Sequence, residues 1–258
     1  MKPILHEYSI ADNVFAFSST RKGGVSEGNY GEFNINTFCG DSLEHTAANR
    51  QFLADELGIG ADDIILPHQV HGVECRLVSK EMQAFSTETR IKLLNNVDAV
   101  ITDQLNICIG VSTADCIPVL LYDAKHHAAA AIHAGWRGTV AGIVRKCVVE
   151  MHQCFDTDPA DLKAVIGPGI SLERFEVGQE VYDQFAQAGF DMDRIARMYA
   201  KWHIDLPLCN QLQLQQTGIK YENIEMSGIC THTQSDEYFS ARKLGINSGR
   251  IYTGIILK

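Results

Sequence analysis

Residues 98–151 read DAVITDQLNICIGVSTADCIPVLLYDAKHHAAAAIHAGWRGTVAGIVRKCVVEM, and this stretch decides the fold class. Asp98–Thr102, Ile107–Val111 and Ile117–Tyr122 are short runs rich in β-branched and apolar side chains, which predicts three strands. Asp123-Ala124-Lys125-His126 supplies polar turn residues and predicts a reversal into Ala128–His133. Alanine is a weak strand former, so that assignment leans on its setting between a turn and a glycine-bearing loop. After Gly138 the period changes. Val140, Ile143, Val144, Cys147, Val148 and Met151 recur at i, i+3, i+4, i+7, i+8 and i+11, the buried face of one long helix. Strands mixed with helices predict an α/β or α+β domain.

Working outward, Val14–Ser18 reads as an early strand, followed by a polar, glycine-containing loop from Thr20 to Tyr30. Asp41 and Ser42 offer caps for a helix that Gly58 can stop, with Leu43, Ala47, Phe52 and Leu53 as its expected apolar stripe. Leu162–Ile166 predicts a further strand, Gly178 to Ala188 a helix, and Asp205 with Pro207 the start of another. The chain is expected to close on a strand, Ile251–Leu257. No repeat, low-complexity run or Pro/Gly/Ser-rich linker divides residues 1–258, so one domain is expected.

Composition narrows the function. Hydrophobic residues at 45% and charged residues at 21% exclude global disorder. A net charge of −10 argues against a nucleic acid polymer as partner, because phosphate-backbone binding is driven by basic side chains. It does not argue against a small basic pocket for a single phosphate. Met1 to His6 lack a secretory signal pattern, and no apolar run approaches the roughly 18 residues of a membrane helix. The eight cysteines include no Cys-x-x-Cys pair. A reduced, cytoplasmic setting is therefore expected, with no membrane partner. No extra interface element is visible, and a monomer is expected.

Three clusters concentrate the reactive side chains: Pro67-His68-Gln69-Val70-His71-Gly72, Thr113-Ala114-Asp115-Cys116-Ile117-Pro118 and His133-Ala134-Gly135-Trp136-Arg137-Gly138. His71, Cys116 and His133 form an N/S/N donor set that zinc accepts with a fourth position left open, as catalytic sites require. Their intervals of 45 and 17 residues belong to no compact metal motif, so the fold must bring them together. Cys116 with a histidine is equally the raw material of a thiolate nucleophile, oriented by Asp115 or Gln69. Pocket or turn residues with ordinary hydrogen bonds are the third reading of the same set. Arg21, Asn34, Asn36, Arg50 and Arg137 could each reach a phosphate or ribose, or simply face solvent or cap a helix. There is no Gly-x-Gly-x-x-Gly or P-loop series, so nicotinamide and ordinary NTPase chemistry lack support.

Taken in order, these residues resemble the YfiH family, also called the laccase-domain or multicopper polyphenol oxidase family. The resemblance rests on Gln69-Val70-His71-Gly72, Asp98-Ala99, Ala114-Asp115-Cys116-Ile117-Pro118 and His133-Ala134-Gly135-Trp136-Arg137-Gly138. It continues through Ile166-Gly167-Pro168, Glu176-Val177-Gly178, Asp205-Leu206, Cys230-Thr231, Phe239-Ser240 and Gly249-Arg250, and so spans essentially the whole chain. What it implies is a sandwich of mixed β-sheets flanked by helices, similar to a cysteine-hydrolase-like fold, with Zn2+ held by His71, Cys116 and His133 as catalytic residues. It further implies purine nucleosides and inorganic phosphate as substrates: phosphorolysis of adenosine, inosine, guanosine or methylthioadenosine, and deamination of adenosine. Arg50 and Arg137 are then the first phosphate candidates, with Arg21 and Asn36 behind them. Three rivals stand beside this reading: a metal-free Cys–His amidohydrolase, a copper-dependent polyphenol oxidase and a binding protein without catalysis. The copper reading is weakened because the ten histidines show no repeated His-x-His pairs.

Overall fold

The computed structural model describes residues 1–258. Its strands, in chain order, are β1 (Leu5–Tyr8), β2 (Val14–Ser19), β3 (Ile64–Ile65), β4 (Cys75–Leu77), β5 (Ala99–Thr102), β6 (Cys108–Thr113) and β7 (Ile117–Asp123). They continue with β8 (Ala128–Ala134), β9 (Leu162–Ile166), β10 (Glu176–Val177), β11 (Ala196–Met198), β12 (Trp202–Ile204), β13 (Ile224–Met226) and β14 (Ile251–Leu257). They form a five-stranded sheet ordered β1-β2-β14-β6-β3, a six-stranded sheet ordered β13-β9-β7-β8-β5-β4, and a small three-stranded sheet ordered β10-β12-β11. Both large sheets mix parallel and antiparallel neighbours.

Period-two alternation assigns each face. In β8, Ala128, Ala130 and Ile132 join the helical residues Ile143, Val144, Cys147, Val148 and Met151, while Ala129 and Ala131 face the opposite way and meet Ile109, Val111 and Ile255 of the five-stranded sheet. The outer face of the five-stranded sheet, with Phe17, Tyr252 and Ile256, is covered by Leu53, Ala54 and Leu57 of the helix Leu43–Leu57. The result is a layered sandwich: helix, sheet, sheet, helices. All four alanines of 128–131 are fully buried, which explains why weak strand formers make a strand here. Burial on both faces selects small apolar residues that let the layers close.

Two expectations change. The helix after Gly138 is two helices, Trp136–Val140 and Ile143–Phe155, because Gly142 adopts φ +77°, a left-handed conformation that interrupts the turn. The helix Leu43–Leu57 starts at Ser42 and ends at Gly58 as read, but its buried face is Thr46, Asn49, Leu53, Ala54 and Leu57. Leu43 is 69% exposed, and Ala47 also faces solvent. No helix is long and apolar enough to cross a membrane.

Candidate metal centre

Strand pairing builds the site. β7 and β8 are antiparallel neighbours, with Ile117 opposite Ala134 and Pro118 opposite His133. Cys116, one residue before β7, therefore sits beside the end of β8, where His133 projects. His71 arrives from the turn between β3 and β4. The ligand atoms of His71, Cys116 and His133 all lie within 4.8 Å of one another, and the two imidazoles meet edge to face at 4.8 Å between centroids.

Asp98 ties the pieces together. One residue before β5, it accepts hydrogen bonds from the backbone amides of Val70 (3.2 Å), His71 (2.9 Å) and Gly72 (2.8 Å). Its Oδ1 also lies 2.7 Å from His133 Nδ1. Burial works against this charge, yet His133 and the amides of Gly72 and Val70 outweigh it and hold the carboxyl below its ordinary range. His133 Nδ1–H donates to the ionised Asp98, which leaves Nε2 to face the cluster. Gln69 fastens the same turn to β6: its amide donates to Ser112 O (2.9 Å) and accepts from Ser112 N (2.8 Å). His71, neither a glycine nor in a regular element, holds φ of +63°, a left-handed conformation kept by the Asp98 bonds to its turn.

Donor chemistry and space both fit a zinc ion. Two imidazoles and a thiolate are ligands it favours, and His71 is exposed while His133 is buried, so the cluster opens on one side. Burial alone would raise the Cys116 thiol, but His133 and His71 overcome it and bring the thiol down to about 6. His133 is raised to about 9, with Cys116 and Asp98 prevailing over burial. Gly135 leaves the gap that an ion needs. A Cβ there would stand 2.8 Å from His71 Cδ2 and 3.0 Å from Cys116 Sγ.

The cluster lies on the wall of a cleft of about 510 Å³, room for a nucleoside-sized ligand. Asn36, Phe38, Ile170 and Phe175 line it, with Arg242 and Arg250 as its cations. Of the residues expected to meet substrate, Asn36 is here, its amide on Ser112 Oγ at 2.5 Å. The other three stand elsewhere. Arg50 opens on a neighbouring hollow of about 350 Å³ and bonds the carbonyls of Ala61 and Ile64. Arg137 stacks on Trp136, 4.2 Å from the ring centroid. Arg21 donates to Gly31 O (2.9 Å) and Ser235 O (2.8 Å). Asp115 is occupied by Thr231 Oγ1 (2.7 Å) and the amide of Arg242 (2.6 Å), and so anchors the cleft wall. Sequence reasoning gave no role to Asp98 or Ser112. Asp98 enters the sequence reading only as the first residue of a predicted strand and, with Ala99, as part of the family resemblance.

The pattern of the family described as multi-copper polyphenol oxidoreductase laccase matches residues 15–258, and the chain belongs to that family. It is 45% identical to a purine nucleoside phosphorylase of Bacteroides thetaiotaomicron over 248 residues, covering 95% of this chain and 92% of the relative. It is 38% identical over 251 residues to adenosine deaminase RL5 of an unknown prokaryotic organism, covering 96% and 95%. Among solved structures it is similar to YlmD from Geobacillus stearothermophilus, with TM-score 0.90, 26% identity and coverage of 97% and 94%. The sandwich fold is the one shared with these YfiH-type proteins.

Proposed function

We propose that the chain is a zinc-dependent purine nucleoside phosphorylase that also deaminates adenosine and phosphorolyses methylthioadenosine. The observation that carries the reading is the convergence of His71, Cys116 and His133 around the gap at Gly135, on the wall of a nucleoside-sized cleft. The names borne by the relatives at 45% and 38% identity supply the substrate class. A zinc ion held by the three side chains supplies Lewis acidity to an oxygen nucleophile. The protein's own part is positional. Asp98 keeps His133 in the ligating tautomer, Cys116 is present as thiolate, and Phe38 and Phe175 offer aromatic surface for a planar base.

Product analysis on a nucleoside panel, with and without phosphate and alongside zinc quantification, tests this. Inosine is expected to give hypoxanthine and ribose 1-phosphate only when phosphate is present, and adenosine to release ammonia. Folded, zinc-loaded protein that converts no nucleoside would refute the proposal.

One observation favours a second reading. Without metal, a thiol at about 6 beside an imidazole at about 9 is an ion pair competent for nucleophilic attack, as in a Cys–His amidohydrolase. Full turnover after thorough chelation, with a covalent intermediate trapped on Cys116, would establish it. A multicopper oxidase demands several ligand groups, and only one cluster of three His, Cys, Asp or Glu donors forms in this fold.

A further inference from the structure

We infer that Arg242 is the residue that binds and orients the phosphate dianion of the phosphorolytic reaction. This assignment deepens the phosphorylase reading and rests on it. Two guanidinium groups line the cleft, and their engagements differ. Arg250 is spent on its own loop: Nη1 donates to Ser248 O (2.5 Å) and Gly249 O (3.0 Å), and Nη2 to Ile246 O (3.0 Å). Arg242 gives only Nη1, to Glu176 O at 3.0 Å. Its Nε and Nη2 have no protein partner, so one edge of the planar fork is available for bidentate contact with an oxyanion.

The base of Arg242 is fixed to the reactive centre. Its backbone amide donates to Asp115 Oδ2 at 2.6 Å, and Asp115 immediately precedes Cys116. The guanidinium lies 5.6 Å from the centre of the Phe175 ring, another wall of the cleft. Two acids lie near it: Asp115, occupied by Thr231 Oγ1 and the Arg242 amide, and Glu176. The nearby Glu176 carboxylate is paired with Lys201 at 2.8 Å. With both acids engaged, the unspent donors of Arg242 face the same cleft as the cluster, which is what a dianionic co-substrate requires.

In the step served, a phosphate oxygen forms a bond to ribose C1′ while the C1′–N9 bond breaks. The bonding pair leaves on the purine, and the proton of HPO4²⁻ ends on a purine nitrogen. No redox partner is involved. Arg242 holds the phosphate oxygens that do not react, which lowers the entropy of encounter and aims the attacking one.

Steady-state kinetics with inosine and phosphate varied independently test the assignment in wild type, R242Q and R242K. In R242Q the KM for phosphate is expected to rise on the order of ten- to a hundredfold, the loss of one or two charge-assisted hydrogen bonds, while the KM for inosine moves far less. R242K, which keeps the charge but not the fork, is expected to fall between. The phosphate-dependent rise in melting temperature should shrink in parallel, a readout independent of turnover. Unchanged phosphate KM in R242Q, or equal rises for both substrates, would overturn the assignment while leaving the phosphorylase reading intact. Wild-type turnover indifferent to phosphate would overturn both. Faster cleavage of inosine 5′-monophosphate than of inosine with free phosphate would move the recognised group onto the nucleotide and refute the co-substrate role.

Discussion

Asp98 carries four hydrogen-bonding contacts on two oxygens, three from the amides of the 70–72 turn and one to His133. An amide in its place keeps the shape but brings a donor nitrogen against donors. Asp98→Asn should therefore weaken zinc binding roughly 10–100-fold, as lost partners of ligating histidines typically do. Titration against a competing chelator measures it, and wild-type affinity would deny Asp98 that role. Gly135→Ala tests space instead of charge. Its methyl would stand 2.8 Å from the His71 ring and 3.0 Å from Cys116 Sγ, so two of the three ligands must shift, and a folded protein lacking stoichiometric zinc is expected. Far from the cleft, Asp123 gives a pH prediction. Burial would raise its carboxyl, but His126 and the amides of Lys125 and His126 overcome burial and hold it below the ordinary value. A depressed folded value means that its contribution is complete above the unfolded aspartate value of about 3.9 and fades as pH falls through the lower folded one. Denaturation midpoints of wild type and Asp123→Asn should differ by a constant amount near neutrality and converge below about pH 4. A gap that stays constant into acid would contradict the linkage.

At the scale of elements, Gly142 separates two helices that the apolar pattern joins. Val140 and Ile143 keep the same phase across the break, so periodicity alone could not reveal it. A Cβ at Gly142 would meet only the mobile end of Arg145, at 3.0 Å, which leaves backbone strain as the cost. Gly142→Ala should lower stability by about 1–2 kcal/mol in urea denaturation; an unchanged midpoint would mean that the break is not held by glycine. The buried face of Leu43–Leu57 was misread for a different reason. Asn49 is buried because its amide serves a neighbouring loop, accepting from Val25 N (2.9 Å) and donating to Asn34 O (3.0 Å). A polar side chain that satisfies a distant backbone carries no sign in a hydrophobic pattern. The central strands, by contrast, were legible because burial on both faces writes continuous apolar runs. Cys116 and His133 stand out as reactive side chains in two of the three clusters, but their intervals leave zinc ligands, a thiolate nucleophile and ordinary pocket residues all open, because only the fold brings them together. Arg242 was not legible: its tie to Asp115 spans 127 residues and uses a backbone amide, which every residue possesses.

For the whole molecule, the three ligands come from segments that the sheet ladders hold to different degrees. His133 lies within β8, and Cys116 sits at the start of β7, whose neighbours pair with it on both sides. His71 belongs to a turn carried by Asp98 and Gln69, and it is the exposed member of the set. Metal removal should therefore loosen the 68–72 turn and leave the sandwich folded, unlike small zinc domains that unfold when chelated. Ligand linkage sets the size of the effect. At free zinc a hundredfold above Kd, binding stabilises the folded state by about 2.7 kcal/mol. For a chain of this length each kcal/mol moves Tm by about 2–4 °C, so chelation should lower Tm by about 5–10 °C with the far-ultraviolet spectrum retained. Hydrogen exchange should quicken at residues 68–72 before it does in β7 or β8. The Cys116→Ala protein should show the lower Tm from the start and no response to zinc or chelator. Equal zinc-dependent shifts in wild type and variant would mean that the ion binds elsewhere, and that the cluster of His71, Cys116 and His133 is not the metal centre.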